Sequence, residues 1–300
     1  MEEGAAELDI RAEIQTRVDE IEQIIKRYLP AEEGYQKTIM EAMNYSILAG
    51  GKRLRPMLMS ETYRLFGGKS KVIEPFMAAM EMIHTYSLIH DDLPEMDNDD
   101  YRRGRLTNHK VFGQAMAVLA GDGLLTQAFE VMTEQKGVDP ALMVEIIHLI
   151  ARCAGPEGMV GGQALDINAE EKHLEPAEMK QLHEAKTGAL FIAAIRSGAL
   201  LGGGSKDEVN ALTKFATFFG LAFQITDDIL DVEGDSKIMG KMAGMDEKMH
   251  KSTYVSLFTL EGAKAMALDT LKKAELTLEP FGERAEPLLA IARHLYNRNK

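Results

Sequence analysis

The sequence predicts an all-α protein organised as one domain over residues 1–300. Three observations lead there. Apolar residues recur at spacings of three and four along most of the chain, the period of a helix with one buried face. Capping signals stand at the junctions between these runs. No alternating strand pattern of useful length, no internal repeat and no polar linker interrupts the 300 residues.

Ile10, Ile14, Val18, Ile21 and Ile25 form one apolar stripe, closed by Pro30. Tyr35 to Leu48 reads as a second helix ending near Gly50-Gly51. The segment GGKRLRP follows, with Lys52, Arg53 and Arg55, and by itself it reads as a solvated basic loop. From Ile73 to Asp92 the chain is apolar nearly all round, through Phe76, Met77, Met80, Met82, Ile83, Leu88 and Ile89, so this helix is predicted to be buried. His84, Ser87 and Asp91 share one of its faces. Gly113 to Thr133 reads as a core helix, and Asp139-Pro140 as an N-cap with proline at the first helical position. Gly155, Gly158, Gly161 and Gly162 suggest a turn and close helix packing before Gln163 and Asp166. Glu175-Pro176 opens a long helix that carries Lys186-Thr187-Gly188 in mid-length and breaks at Gly202 to Gly204. Ser205 with Glu208 reads as a capping box for the next helix. That helix is apolar except for a polar stripe of Gln224, Asp227, Asp228 and Asp231. A polar loop, Glu233 to Asp246, holds Lys241 and precedes helices expected over Lys251–Leu260, Glu261–Leu278 and Glu286–Tyr296.

The acids carry the functional reading. Burying unpaired carboxylates is costly unless a cation offsets them. Asp227 and Asp231 are one turn apart and can reach a common point, and their hard oxygen ligands suit Mg²⁺, with water or phosphate completing the octahedron. Asp91 and Asp97 lie about 240° apart on a regular helix, so they converge only if the helix breaks between them. Pro94 supplies the break, because it disfavours helix at Leu93 and removes a donor. Asp99 and Asp100 read as solvated acids. No His–Cys cluster has zinc spacing, and neither a P-loop nor a GxGxxG fingerprint is present, which argues against Zn²⁺ and against a nucleotide substrate. Phosphate would meet Mg²⁺ together with Lys52, Arg55, Arg102, Arg103, Lys186 and Lys241.

Composition sets the outer limits. Lys and Arg total 34 against 47 Asp and Glu, a balance of −13. No basic field exists for nucleic acid or an anionic membrane surface. One cysteine, Cys153, excludes an intrachain disulfide and suits a reducing, cytoplasmic setting. The acidic start MEEGAAELDI is neither signal nor transit peptide, and no uninterrupted run of 18 apolar residues exists, so no membrane span is expected.

Taken together, DDLPEMD with RRG after it, DDILD, GGKRLRP, TNHKVFG, GGQALD, KTG and FQITDD, in that family's order, resemble the trans-polyprenyl diphosphate synthases from about Tyr35 to the C-terminus. The resemblance implies an isoprenoid-synthase helical bundle around a central cavity, usually a homodimer. It implies three Mg²⁺ ions bridging an allylic diphosphate to Asp91, Asp97 and Asp227, with Asp92 and Asp231 supporting. It further implies that Arg102, Lys186, Lys241 and Lys251 hold the allylic diphosphate, that Lys52, Arg55, His84 and Arg103 hold isopentenyl diphosphate, and that Thr187 and Gln224 line the reacting carbons. Tyr86 and Ser87, five and four residues before Asp91, sit where the family sets product length. A bulky Tyr86 and the two-residue insertion in DDLPEMD look most like the bacterial-type farnesyl (C15) members, acting on dimethylallyl or geranyl diphosphate. Geranylgeranyl (C20) synthesis is the alternative. Glu95, Met245 and Val255 depart from the family pattern, and none of these removes a proposed ligand. A terpene cyclase would leave Lys52, Arg55 and Arg103 without purpose, a non-catalytic subunit of a heteromeric synthase would be expected to lack some of these acids, and a purely structural helical protein would need none of them.

Overall fold

The computed structural model describes residues 2–169, 174–233 and 252–297, with side chains from residue 10 onward. Helices account for most of it: α1 Glu2–Arg27, α2 Lys37–Ile47, α3 Leu54–Leu65, α4 Glu74–Asp91, α5 Asn108–Phe112, α6 Gln114–Thr133 and α7 Pro140–Ala154. Then follow α8 Met159–Ala169, α9 Pro176–His183, α10 Ala189–Leu201, α11 Lys206–Glu233, α12 Tyr254–Leu278 and α13 Glu286–Asn297.

The apolar runs become the interior. α4 is buried along both its faces, from Phe76 to Ile89, and packs on α6 and α3. α10 lies against α3, α11 and α7, and α11 packs along α12. Phe76, Phe191, Phe215 and Phe219 are among the largest fully buried side chains of the main core. A separate apolar cluster of Met179, Ile225, Ile229, Tyr254, Ala263 and Ala267 joins α9, α11 and α12. α6 is long and apolar enough to cross a membrane by length and composition, a test that the core helix of a globular protein also passes, and it packs on α4 and α2.

Local signals hold where they were strongest. Asp139 caps α7, its carboxylate accepting from the amides of Ala141 and Leu142. Ser205 and Glu208 exchange the two hydrogen bonds of a capping box. Three features differ from the sequence reading. GGKRLRP is not a solvated loop: α3 begins at Leu54, and Arg53 is buried, with its guanidinium paired to Glu81 at 2.5 Å and Glu22 at 2.7 Å. A two-residue hairpin, Tyr101–Arg102 against Arg105–Leu106, stands where no strand was expected, its turn made by Arg103 and Gly104 at positive φ. Glu184–Gly188 is a single π-helical turn, which displaces Lys186 and Thr187 from the regular helical register. The two helices expected over Lys251–Leu260 and Glu261–Leu278 are both present within α12, divided by the non-helical backbone of Thr259 (φ 65°, ψ 162°), and Lys251 itself lies outside the described residues.

Candidate active site

The first acidic run is shaped by a helix that stops. α4 ends at Asp91, and the chain turns through Leu93 and Pro94 so that the Asp97 amide donates to the Asp91 carbonyl at 2.9 Å. Asp97 is thereby brought back beside Asp91, as the break at Pro94 requires. Asp91 is largely buried, and burial, reinforced by Asp97 and Asp92, pushes its carboxyl up to about 6 against the opposing pull of Lys186 and Arg102. Asp92 faces the other way. It is buried and takes the Nε and Nη2 edge of Arg102 at 2.6–2.9 Å. The hairpin holds Arg102 there, and Asp99 adds a contact at 3.5 Å. Asp100 is exposed and pairs with Lys110 at 2.7 Å.

The basic residues converge from two sides. Arg55 is half-buried with its guanidinium 4.6 Å from the centre of the Phe191 ring, and desolvation pulls its pKa down to about 10, so it remains charged near neutrality. Both Glu81 and Asp227 support that charge, while Arg103 opposes it. Lys52 lies over the Phe223 ring at 5.9 Å. Arg103 donates to the carbonyl of Gly50, which stitches the hairpin to the segment before α3. A Cβ at Gly51 would fall 2.7 Å from the Arg103 guanidinium carbon, so this approach needs glycine. His84 is held neutral by burial and by the nearby Arg55, Arg103, Arg102 and Arg53, which drive its pKa well below the ordinary value.

The second acidic run lies on α11. Asp227 and Asp231 are one turn apart on that helix. Asp228 is buried and accepts from the Tyr254 amide at 2.8 Å and from Gln224 Nε2 at 2.9 Å. Thr187 donates to Gln224 Oε1 at 3.2 Å. Lys186 pairs with Asp166 of α8 at 2.6 Å. Gly162 permits that pairing, since a Cβ there would sit 2.2 Å from the Lys186 amide. Lys186, Thr187, Gln224, Asp228, Asp166 and His183 line a cavity of about 160 Å³. Lys186 of this cavity acts electrostatically on Asp91 of the first acidic run, and Asp227 of the second run acts on Arg55.

A polyprenyl synthetase family model matches residues 36–279. The chain belongs to the polyprenyl synthetase family. It is 48% identical over 261 residues to a farnesyl diphosphate synthase of Geobacillus stearothermophilus, covering 86% of this chain and 88% of that one. It is 46% identical over 266 residues to a chloroplastic geranylgeranyl pyrophosphate synthase of Catharanthus roseus, covering 87% and 74% of the two chains. A crystal structure of an FPP/GFPP synthase from Zymomonas mobilis superposes with a TM-score of 0.86 at 38% identity, over 97% of this chain and 99% of that one. This synthase is therefore a prenyltransferase with the helical architecture of its family.

Sequence reasoning singled out the acids and most of the cations described above and gave no role to Arg53, Asp166 or Asp228. Arg53 and Asp166 become visible only through partners 28 and 20 residues away in the chain. Asp228 was legible as a member of the polar stripe, though its partner on α12 was not. Lys241 and Lys251 lie outside the described residues.

Proposed function

We propose that this synthase joins isopentenyl diphosphate head to tail to dimethylallyl or geranyl diphosphate and releases trans-farnesyl diphosphate (C15) as its main product. The observation that carries the reading is that each acidic run acts on a cation from another part of the chain, Asp91 on Lys186 and Asp227 on Arg55. The donor set fits Mg²⁺. Among the described residues no three acids or histidines gather to cage an ion by themselves. Mg²⁺ takes hard carboxylate oxygens, one or two for each ion, and leaves its remaining positions to water and substrate phosphates. Asp91, Asp97 and Asp227 would hold three such ions between them, with Asp231 supporting and Asp92 orienting Arg102. Bound Mg²⁺ supplies charge neutralisation to the departing diphosphate, which favours cleavage of the allylic C–O bond.

The chain's own groups do the rest. Lys186 and Arg102 add positive charge beside the allylic diphosphate. Arg55, whose Nε is buried without a hydrogen-bond partner among the described residues, offers a donor to the second diphosphate, with Lys52, Arg103 and neutral His84 near it. Thr187 and Gln224 turn oxygen atoms toward the reacting carbons, where positive charge develops. The homoallylic double bond attacks the allylic carbon, and the released diphosphate takes the proton lost from the product. The reading further includes a cytoplasmic homodimer. Tyr86 favours C15. It is 6% exposed on α4, roughly 7.5 Å before Asp91 along the axis, with its ring edge-on to His90 at 5.7 Å. The chloroplast relative favours C20 as the second reading.

Incubation of the purified protein with labelled isopentenyl and dimethylallyl diphosphates, with and without Mg²⁺, tests the activity and reports chain length. A C15 product only with the metal is expected, and no prenyl product overturns the reading. Tyr86→Ala is expected to shift the product beyond C15, and an unchanged distribution removes Tyr86 as the floor of the cavity.

A further inference from the structure

The DDILD run contains one acid that is buried. Asp228 is 4% exposed, and its two oxygens accept from the backbone amide of Tyr254 at 2.8 Å and from the side-chain amide of Gln224 at 2.9 Å. The Tyr254 amide is one of the donors left without a helical partner at the start of α12, where a carboxylate is doubly favoured. The link to Gln224 has a further consequence. A carboxylate can only accept, so Gln224 must aim its NH₂ at Asp228 and its carbonyl oxygen the opposite way. That oxygen then accepts the Thr187 hydroxyl at 3.2 Å, and the cavity wall presents lone pairs from both residues.

We propose that Asp228 is a positioning residue that fixes the sign of the electrostatic field on the allylic carbon by locking the orientation of the Gln224 amide. With the amide reversed, an NH₂ group would face the developing carbocation and oppose it, while the shape of the wall would hardly change. The inference rests on the condensation reading above, which assigns Thr187 and Gln224 to the reacting carbons.

Asp228→Asn is the direct test. The introduced amide can satisfy the Tyr254 N–H with its oxygen, and its NH₂ then faces Gln224 and forces that side chain to flip. A fall in kcat of about 10- to 100-fold is expected, the scale of one hydrogen bond to a charged group, with the KM of either diphosphate changed less than threefold. The double variant Asp228→Asn/Gln224→Glu exchanges the roles: the amide donates, the new carboxylate accepts from it and from Thr187, and net charge is unchanged. Recovery of at least tenfold in kcat over Asp228→Asn alone is expected, together with recovery of the unfolding midpoint. A merely structural tie between α11 and α12 predicts no such rescue. The proposal is overturned if Asp228→Asn keeps wild-type kcat, or if the double variant folds but turns over no faster than Asp228→Asn. Should Asp228→Asn not fold, a folded and active double variant supports the proposal, whereas a double variant that is unfolded or inactive overturns it. If the wild-type chain makes no prenyl product, the condensation reading fails separately, and the unfolding midpoints of the three variants still report whether the exchange restores the hydrogen bonds.

Discussion

The two acidic runs use the same residue type and solve the problem of convergence in opposite ways. At Asp91 and Asp97 the helix stops, and a turn brings the second carboxylate back. At Asp227 and Asp231 the helix continues, and its period alone places the carboxylates together. Each run also spends one acid on holding its neighbours: Asp92 grips Arg102 of the hairpin, and Asp228 grips the start of α12 and the Gln224 amide. A carboxylate pair on a helix is thus positioned by local geometry, whereas one across a turn depends on the tertiary contacts that keep the turn closed.

The largest effect that could break this comparison is catalytic. Asp91→Asn and Asp227→Asn are each expected to lower kcat about 10³-fold, the scale of removing a preorganised charge-stabilising group. If only one of them does so, the two runs do not act on a common substrate. Next in size is the buried pair behind the first run. Arg102→Met removes the guanidinium that grips buried Asp92 and should destabilise the protein by about 3 kcal/mol in urea unfolding. Adding Asp92→Asn should return most of that loss, and no return would mean that the pair does not hold the hairpin.

A third effect sharpens the contrast through pH. Asp91 ionises at about 6 in the folded protein and near 3.8 when unfolded. Between these values the unfolded chain gives up the proton first, so the ionisable Asp91 lowers stability as pH rises, and above about 6 the cost is fully present. In the absence of metal, Asp91→Asn should therefore raise stability above pH 6 by up to about 3 kcal/mol and lose that advantage as pH falls toward 4. Equal midpoints for the variant and wild type at pH 7.5 would contradict this. The smallest effect concerns the turn. Pro94→Ala should cost about 0.5–1 kcal/mol, mainly by loosening the unfolded chain. A loss of several kcal/mol would show that Pro94 makes native contacts that matter more than its backbone restraint.

Much of this was legible in the chain. The burial of α4 followed from apolar residues on every side, the end of that helix from Pro94, and the α7 and α11 starts from Asp139 and from Ser205 with Glu208. Arg53 was not legible, because an arginine among basic neighbours reads as solvated. Its burial depends on Glu22 and Glu81, which arrive from other helices. α3 was missed for the same reason, its first turn being hidden inside a basic segment. The hairpin is too short to leave a periodic signal, and the π-turn at Glu184–Gly188 has no sequence pattern of its own.

By itself, the sequence determined the helices, the two acidic runs and the family, because periodicity, capping and motif order are properties of neighbouring residues. Tertiary structure alone decided which acids are buried against protein donors, Asp92 on Arg102 and Asp228 on the start of α12. Asp227 and Asp228 are adjacent on one helix and chemically identical, and the burial of Asp228 against the first amide of α12 follows from where α12 packs, which no neighbouring residue encodes.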